Sequence, residues 1–222
     1  MNYIYRLFVF IFLICPFLTK AQSTGKLFNG KNLNGWYAYE PGSGKHANAS
    51  EVFKVDQQMI RLYGVKAGYL MSEQSFQNFQ LTLEFRWNTD STFTRKSNSK
   101  NSGVMYLVPS TTSDTLWPKG IQFQIKEGAT GDFVLLQDVT LQINGKTTVP
   151  GRSVVAARFE DAAKPVGEWN TIIITSVNGR VKQELNGKLV NEGTEASVSE
   201  GRILLQYEGY PIDFRKVVIK KL

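Results

Sequence analysis

The sequence predicts an all-β fold, a single-domain β-sandwich of the jelly-roll type. Short segments of alternating apolar and polar residues recur along the chain, separated by turn pairs such as Asn144-Gly145 and Asn178-Gly179. No stretch shows a sustained helical period, and no repeat or linker divides the chain. A length of about 200 residues is ordinary for one domain of this class.

The beginning of the 222-residue chain is interpreted as a secretory signal peptide over residues 1–21. Arg6 precedes an apolar run over residues 7–18, and the small residue Ala21 follows. The run is shorter than the ~20 apolar residues that span a bilayer. We therefore expect cleavage after Ala21, a folded domain over residues 22–222 and an exported protein, periplasmic or extracellular, without a membrane span after cleavage.

Charge and cysteine content exclude several kinds of partner and chemistry. Loss of Arg6 and Lys20 with the signal peptide lowers the formal net charge from +7 to +5. The remaining charges are scattered, which argues against a nucleic-acid surface, since that needs a basic patch or stripe. The only cysteine, Cys15, lies in the signal peptide, so the mature domain has no disulfide and no thiolate. A domain of this size folds through burial alone.

The only histidine does not support the common catalytic or zinc-binding arrangements. His46 lies in a Gly- and Ser-rich segment, residues 40–49, that is expected to be an exposed loop. A serine triad and a His/Cys zinc site both need more than this one residue. A divalent cation held by oxygen ligands stays an open alternative, and no other cofactor is indicated. Its carboxylates could come from Glu84, Glu127, Asp132 and Glu208.

Residues 101–133 form the most informative stretch of the chain. Residues 103–108 and 121–125 alternate like strands with one apolar side. A sheet with one face on a core and a polar face toward a ligand has this pattern. The polar side and the adjoining loops carry Asn101, Lys119, Gln122, Gln124, Glu127 and Asp132.

The longest predicted strand, residues 79–88, places Glu84 and Arg86 on its polar face. Arg86 could hold Glu84 ionised as a base and stabilise a developing oxyanion, or the two could form a structural ion pair. Neither this strand nor residues 121–125 carries two carboxylates at positions i and i+2, as a pair on one strand for glycoside hydrolysis would require. Trp117 is either a platform for a sugar ring or a buried loop anchor.

Seven segments resemble the 3-keto-disaccharide hydrolase family, also known as DUF1080, whose members have a concanavalin A-like lectin/glucanase sandwich. They occur in the family's order and cover essentially the whole mature chain. The segments are KLFNGKNLNGW (residues 26–36), FQLTLEFRW (79–87), NSGVMY (101–106), GIQFQIKEGATGDF (120–133), GEWNTIII (167–174), LNGKLV (185–190) and GRILLQYEGYPIDFRKVVIKKL (201–222).

This resemblance implies a carbohydrate substrate, a 3-keto-glycoside. A ketone at C3 acidifies the hydrogen on C2, a base removes it, the C1 substituent leaves by β-elimination, and water adds back. Glu84 is the expected acid/base and Arg86 its orienting or enolate-stabilising partner, with Glu127 and Asp132 as second choices for acid/base or cation binding. Sugar binding is expected from Asn101, Trp117, Lys119, Gln122 and Gln124.

Two positions depart from the family pattern. Gln122 stands where members commonly have Glu in G-x-E-x-Q-I, and Leu107 stands near a position where many have His. A neutral amide cannot act as a base or as an anionic metal ligand. The alternative function is therefore a non-catalytic carbohydrate-binding module of the same fold.

Overall fold

A computed structural model describes Met1, residues 24–93, Arg95 and residues 97–222. It confirms the predicted β-sandwich, since two large antiparallel sheets contain most of the described residues and the only helical element is one 3-10 turn, Ala49–Glu51. The expected signal peptide lies outside the described residues except for Met1, so its cleavage stays a prediction. In the part of the chain that is described, no helix has the length and apolarity needed to cross a bilayer.

The strands are, in chain order, β1 (Thr24–Lys26), β2 (Trp36–Glu40), β3 (Gly44–His46), β4 (Lys54–Asp56), β5 (Met59–Leu62), β6 (Gly68–Ser72), β7 (Phe76–Gln77), β8 (Phe79–Trp87), β9 (Asn101–Val108), β10 (Gly120–Lys126), β11 (Phe133–Leu136), β12 (Gln142–Ile143), β13 (Lys146–Thr147), β14 (Ser153–Ala156), β15 (Asn170–Val177), β16 (Arg180–Leu185), β17 (Lys188–Gly193), β18 (Glu200–Tyr207) and β19 (Ile212–Lys221).

The two sheets divide the chain between them in a non-sequential order. Sheet A has the order β17-β16-β15-β8-β19-β5-β4, and β1 also pairs with β19. Sheet B has the order β14-β11-β10-β9-β18-β6-β2-β3, and β7 also pairs with β18. The strands β12 and β13 form a separate two-stranded ribbon. Because consecutive strands often belong to different sheets, the fold depends on long-range pairing.

The core lies between the inner faces of the two sheets. Strand β8 alternates between buried and half-exposed residues along its whole length, as the sequence predicts for a strand with one face on the core. Its Leu81 and Leu83 are fully buried and belong to one apolar cluster with Phe123 from the opposite sheet. Burial of each such side chain contributes about 1.5–3 kcal/mol. The sandwich is therefore held together mainly by apolar contact between the sheets.

The predicted Asn-Gly hairpins are confirmed by their backbone angles. Asn144-Gly145 has φ values of 51° and 74°, and Asn178-Gly179 has 48° and 75°. Both pairs therefore lie in the left-handed region that a primed two-residue turn requires. The hairpin β4–β5 has the same geometry at Gln57 and Gln58, with φ values of 48° and 60°, but without a glycine. That turn is conformationally strained.

The expectation of an exposed loop around His46 is wrong. His46 belongs to β3, which pairs with β2 at the edge of sheet B. The His46 side chain is half-buried, with Nδ1 3.3 Å from Glu51 Oε2 and Nε2 3.1 Å from Ser43 Oγ. The composition of the segment is typical of a loop, but pairing with a neighbouring strand overrides that local preference.

A β-bulge near the end of β9 brings two backbones into close contact. The pairing of β9 with β18 shifts register between Arg202 and Leu204, and Leu107 adopts a φ of 54°. A Cβ atom added at Gly201 would lie 2.3 Å from the carbonyl carbon of Leu107 and 2.4 Å from the nitrogen of Val108. Only glycine fits at position 201.

The substitution Gly201→Ala is expected to lower the free energy of unfolding by more than about 3 kcal/mol, because the clash is with backbone that cannot turn away. Urea denaturation followed by circular dichroism measures the change. Gly25→Ala is the matched control, since nothing lies within 4 Å of its added Cβ. A Gly201→Ala protein as stable as the Gly25→Ala protein would contradict this account of the bulge.

Candidate functional site

The candidate site lies on the outer face of sheet B, the face turned away from the core. Gln122 of β10 lies opposite Met105 of β9, and Gln124 lies opposite Gly103. Further across the sheet, Gln206 of β18 lies opposite Tyr69 of β6. Because side chains alternate along each strand, these residues share the outer face, while their neighbours along the strands point into the core.

Residues 109–119, here called the strap, cover the middle of this face. Asp114 Oδ1 accepts hydrogen bonds of 2.7 Å from both Tyr37 Oη and Tyr69 Oη. Arg202 donates from Nη1 to Tyr37 Oη at 2.8 Å and from Nη2 to the carbonyl oxygens of Pro109 and Thr112. The strap is thus tied down by a carboxylate, two phenols and one guanidinium.

The strap creates a second apolar cluster outside the main core. Its Trp117 packs against a group of outward-facing residues that are almost fully buried. Burial raises the pKa of Tyr37 and of Tyr69, and their hydrogen bonds to Asp114 raise it further. Both phenols therefore stay protonated and continue to donate to Asp114. The cluster consists of Tyr37, Tyr69, Met71, Met105, Val108, Val134, Leu136 and Leu204.

A single carboxylate, Glu208, lies just beyond β18 at the other side of this face. The amide nitrogens of Asn101 and Gln206 both donate to it, one to each carboxylate oxygen. Burial raises the pKa of Glu208, while the two amides and the nearby charge of Lys126 offset part of that rise. Glu208 therefore exchanges its proton at a higher pH than an ordinary glutamate, as an acid/base group in a site needs.

The amide oxygens around Glu208 have no partner within the described part of the chain. Asn101 Oδ1 and Gln206 Oε1 are both buried and accept no hydrogen bond there. A buried acceptor without a donor costs free energy, which a bound hydroxyl group or a water would recover. The two amides thus hold Glu208 through their nitrogens, and each keeps one buried acceptor without a donor.

Gln122 and Gln124 form the adjoining wall of the site. Gln122 Nε2 donates to Gln124 Oε1 at 2.8 Å, and the amide nitrogen of the half-exposed Gln124 donates to no other described residue. The Gln122 side chain lies across Gly103, where an added Cβ would be 2.3 Å from Gln122 Nε2. Glycine at position 103 therefore makes room for the amide pair.

The structure brings together three of the five residues expected to bind sugar. Asn101, Gln122 and Gln124 lie near one another on the outer face of sheet B. Trp117 and Lys119 belong to the strap, and Lys119 precedes Gly120, at the opposite end of β10 from the residue that pairs with Asn101. The roles of all five stay predictions, but the grouping of the first three follows directly from the adjacency of β9 and β10.

The four residues expected to act as acids, bases or their partners do not join that group. Glu84 and Arg86 lie on β8 in sheet A, on its outer face, at the opposite side of the sandwich from Gln122. Arg86 donates to Asp213, at 3.0 Å, rather than pairing with Glu84. Glu84 and Arg86 therefore do not share a pocket with Gln122, because β8 and β10 belong to different sheets.

The environment of Glu84 keeps its carboxylate ionised. Burial alone would raise its pKa, but hydrogen bonds from Lys216 and Arg215 and their charges outweigh that effect and lower it. Lys216 Nζ lies 2.7 Å and Arg215 Nε 2.5 Å from the two Glu84 oxygens. Both oxygens are occupied, which is the signature of a structural ion pair rather than a proton acceptor.

Glu127 and Asp132 also have structural partners. Glu127 is exposed and pairs with Lys100 at 2.9 Å. Asp132 is buried, and its Oδ1 accepts from both the backbone nitrogen and Nη1 of Arg158, at 3.0 and 3.1 Å. Within the described part of the chain, neither carboxylate forms a hydrogen bond with Glu208, Gln122 or Gln124.

Sequence reasoning named Glu208 only as a possible cation ligand and not as an acid/base, although a signal for it was detectable. Gln206 and Glu208 are two residues apart at the end of a predicted strand, so they share a face. What the spacing could not indicate was that Asn101, over a hundred positions away, donates to the same carboxylate.

No group of three His, Cys, Asp or Glu side chains within the described residues is arranged to hold a metal ion. Glu208 with its neighbouring amides supplies one anionic ligand, whereas protein sites for Ca²⁺ combine several carboxylate and carbonyl oxygens. The open alternative of a divalent cation therefore finds no matching ligand set in this part of the chain.

Leu107 does not face the site. Its side chain is fully buried in the main core, since the bulge turns it inward. Leu107 therefore does not occupy the place of a histidine in the candidate site.

Solved structures with the same fold include several carbohydrate-active proteins. A candidate glycosyl hydrolase from Parabacteroides distasonis aligns with a TM-score of 0.63 at 20% identity, covering 90% of this chain and 94% of that one. The Bacillus licheniformis beta-glucanase aligns at 0.54 and 14% identity, covering 92% and 99%. The carbohydrate binding module CBM66 from Bacillus subtilis aligns at 0.50 and 14%, covering 82% and 93%. At these identities the likeness shows the fold.

Among curated protein sequences, no relative matches this chain. A family model does, and it spans residues 23–220, nearly the whole domain. The chain belongs to the family of 3-keto-alpha-glucoside-1,2-lyase-like domains.

Proposed function

We propose that this protein cleaves 3-keto-glycosides by elimination across C1 and C2 followed by hydration, with Glu208 as the acid/base. The observation that carries the proposal is the partly buried Glu208 carboxylate, held by two amides and with a raised pKa, on the ligand-facing side of the sandwich. Family membership supplies the substrate class. The sugar, its linkage and the leaving group are left open by this proposal.

The chemistry requires one base rather than a pair of carboxylates. Glu208 takes the C2 proton, and the electron pair of the C2–H bond forms the C1–C2 double bond as the C1–O bond breaks. Glu208 passes this proton to the leaving oxygen, which departs as an alcohol. Glu208 then takes a proton from water as the water oxygen bonds to C1, and returns that proton to C2, so the net result is hydrolysis. A carboxyl whose pKa is raised is a stronger base than an ordinary glutamate and, once protonated, can return the proton.

The amide wall provides groups for the developing negative charge. Removal of the C2 proton transfers charge to the C3 oxygen, which amide N–H donors stabilise. Gln124 is placed to donate because its oxygen is already engaged by Gln122. Trp117 and Lys119 would border the sugar from the strap.

The strap favours small substrates. It covers the apolar cluster on the outer face, so the half-exposed residues Asn101, Gln124 and Glu208 lie beyond the covered part. A disaccharide or a chain end fits such a site better than the middle of a polysaccharide.

A non-catalytic carbohydrate-binding module is the second candidate, and Gln122 favours it. That residue is a neutral amide where the family commonly has a carboxylate, and it is bonded to Gln124 rather than to a charged partner. Sugar binding without turnover, unchanged by loss of the Glu208 carboxylate, would support this candidate.

Export to the periplasm or the cell exterior belongs to the same proposal. Sequencing the amino terminus of the secreted protein tests it, and the expected first residue is Gln22. A mature protein that begins at Met1 would contradict it.

Glu208→Gln is expected to lower kcat on a 3-keto-glucoside by at least about 100-fold, because the amide cannot take the C2 proton. The measurement is release of the aglycone, and Glu200→Gln on the same strand is the matched control. In the unaltered protein kcat/KM should rise with pH through a pKa above the ordinary glutamate value of about 4.3. Full activity of Glu208→Gln would exclude Glu208 as the base.

The same variant should not be less stable at neutral pH. A carboxyl whose pKa is raised by folding stabilises the fold when protonated, and that contribution is lost as the pH rises through the folded pKa. Replacing it by a neutral amide therefore leaves the unfolding free energy at pH 7 unchanged or higher, which separates a catalytic loss from misfolding.

Gln124→Ala is expected to raise KM about tenfold, since it removes a hydrogen-bond donor to the sugar. Gln80→Ala on the outer face of sheet A is the control. Equal KM values for both variants would remove Gln124 from the sugar site.

A further inference from the structure

A separate recess interrupts the outer face of sheet A next to β19. Along this strand, β5 pairs with Ile212, Asp213 and Phe214, whereas β1 pairs with Val218 and the residues after it. Residues 215–217 lie between these two neighbours, where the register of β19 with β8 also shifts. The resulting gap in the sheet is a recess of about 410 Å³.

The lining of the recess is cationic and rich in amides. Three cations surround it and none of its lining residues is acidic. Three side-chain amides provide hydrogen-bond donors and acceptors, and two apolar residues form a floor. The cations are Lys26, Arg215 and Lys216, the amides are Asn29, Gln57 and Gln58, and the apolar residues are Phe28 and Val218.

Arg215 is held in place before any ligand arrives. Its Nε donates to Glu84 at 2.5 Å, and its guanidinium lies 3.8 Å from the centre of the Trp169 ring. Among the described residues, Arg215 donates a hydrogen bond only through Nε, so its two Nη groups are available to donate to a ligand. A guanidinium fixed in this way presents a planar fork suited to a carboxylate or sulfate.

Glu84 neutralises only part of the positive charge. It binds both Arg215 and Lys216, so one carboxylate faces three cations and the recess keeps an excess of about two positive charges. Such a charge imbalance attracts an anion. The role of Glu84 is thus to position these two cations.

Backbone strain is concentrated at the same place. Gln57, Gln58 and Lys216 have φ values of 48°, 60° and 52°, which cost side-chain-bearing residues about 1 kcal/mol each. All three line the recess. Strain gathered around one cavity is typical of binding sites, where the surrounding structure maintains it.

We infer that this recess binds an anionic sugar, one that carries a carboxylate or a sulfate. The anionic group would lie between Arg215, Lys216 and Lys26, the ring would rest on the apolar floor, and the hydroxyls would bond to the amides. The volume falls within the range of small-ligand pockets. Because the recess is on the sheet opposite Glu208, the inference is independent of the proposed catalytic activity.

Isothermal titration of the purified protein with trigalacturonate, its methyl ester and galactose 6-sulfate tests the inference. Trigalacturonate or the sulfated sugar should bind, in a salt-sensitive manner, and the neutral methyl ester should not. Binding of one anionic probe but not the other identifies which anionic group the recess takes.

Lys26→Glu and Lys216→Gln should each weaken binding about tenfold, as expected for loss of one charge-assisted hydrogen bond. Lys146→Glu, at the distant β12–β13 turn, changes the net charge as Lys26→Glu does and should bind normally. Glu208→Gln should also bind normally.

The inference is overturned if neither anionic probe binds, if the methyl ester binds equally well, if Lys146→Glu weakens binding as much as Lys26→Glu, or if Glu208→Gln abolishes it. Failure of 3-keto-glycoside turnover would leave these results unaffected, so the two proposals fail separately.

Discussion

The arrangement of the outer face of sheet B depends on one half-buried carboxylate. Asp114 accepts hydrogen bonds from the hydroxyls of Tyr37 and Tyr69, and the Tyr37 hydroxyl also accepts a hydrogen bond from Arg202. Polar groups removed from water cost free energy when they have no hydrogen-bond partner, and in this network each group supplies a partner for another. Their mutual bonding fixes the strap on the sheet, and the fixed strap buries the apolar middle of the face. What remains accessible is the end where Glu208 lies.

Two glutamates in this sandwich show how environment assigns different roles to the same side chain. Glu84 forms ion pairs with the guanidinium of Arg215 and the ammonium of Lys216, which lower its pKa and occupy both of its oxygens. Glu208 accepts hydrogen bonds from two neutral amides, and burial raises its pKa. Cationic partners keep Glu84 ionised, whereas neutral partners leave Glu208 able to exchange a proton.

The two outer faces of the sandwich are chemically distinct. Sheet B presents amides and the carboxylate of Glu208 beside the strap, whereas the recess in sheet A presents cations around an apolar floor. The core between them keeps the faces apart, since the inner side chains of both sheets are buried against each other. A substitution on one face is therefore expected to leave the other face intact.

Alternation and turn chemistry by themselves determined the class of fold, most strand positions and the Asn-Gly hairpins, because these depend on neighbours close in sequence. They also placed Gln122 and Gln124 on one polar side with Asn101, since β9 and β10 are adjacent. Only the tertiary structure decided that Glu84 lies on the other sheet, that His46 belongs to a strand, and that Glu208 meets Asn101. The first and the last depend on contacts between residues over a hundred positions apart, and the second depends on the pairing of β3 with β2 at a sheet edge. Local sequence does not specify which strands share a sheet, so it could not determine any of the three.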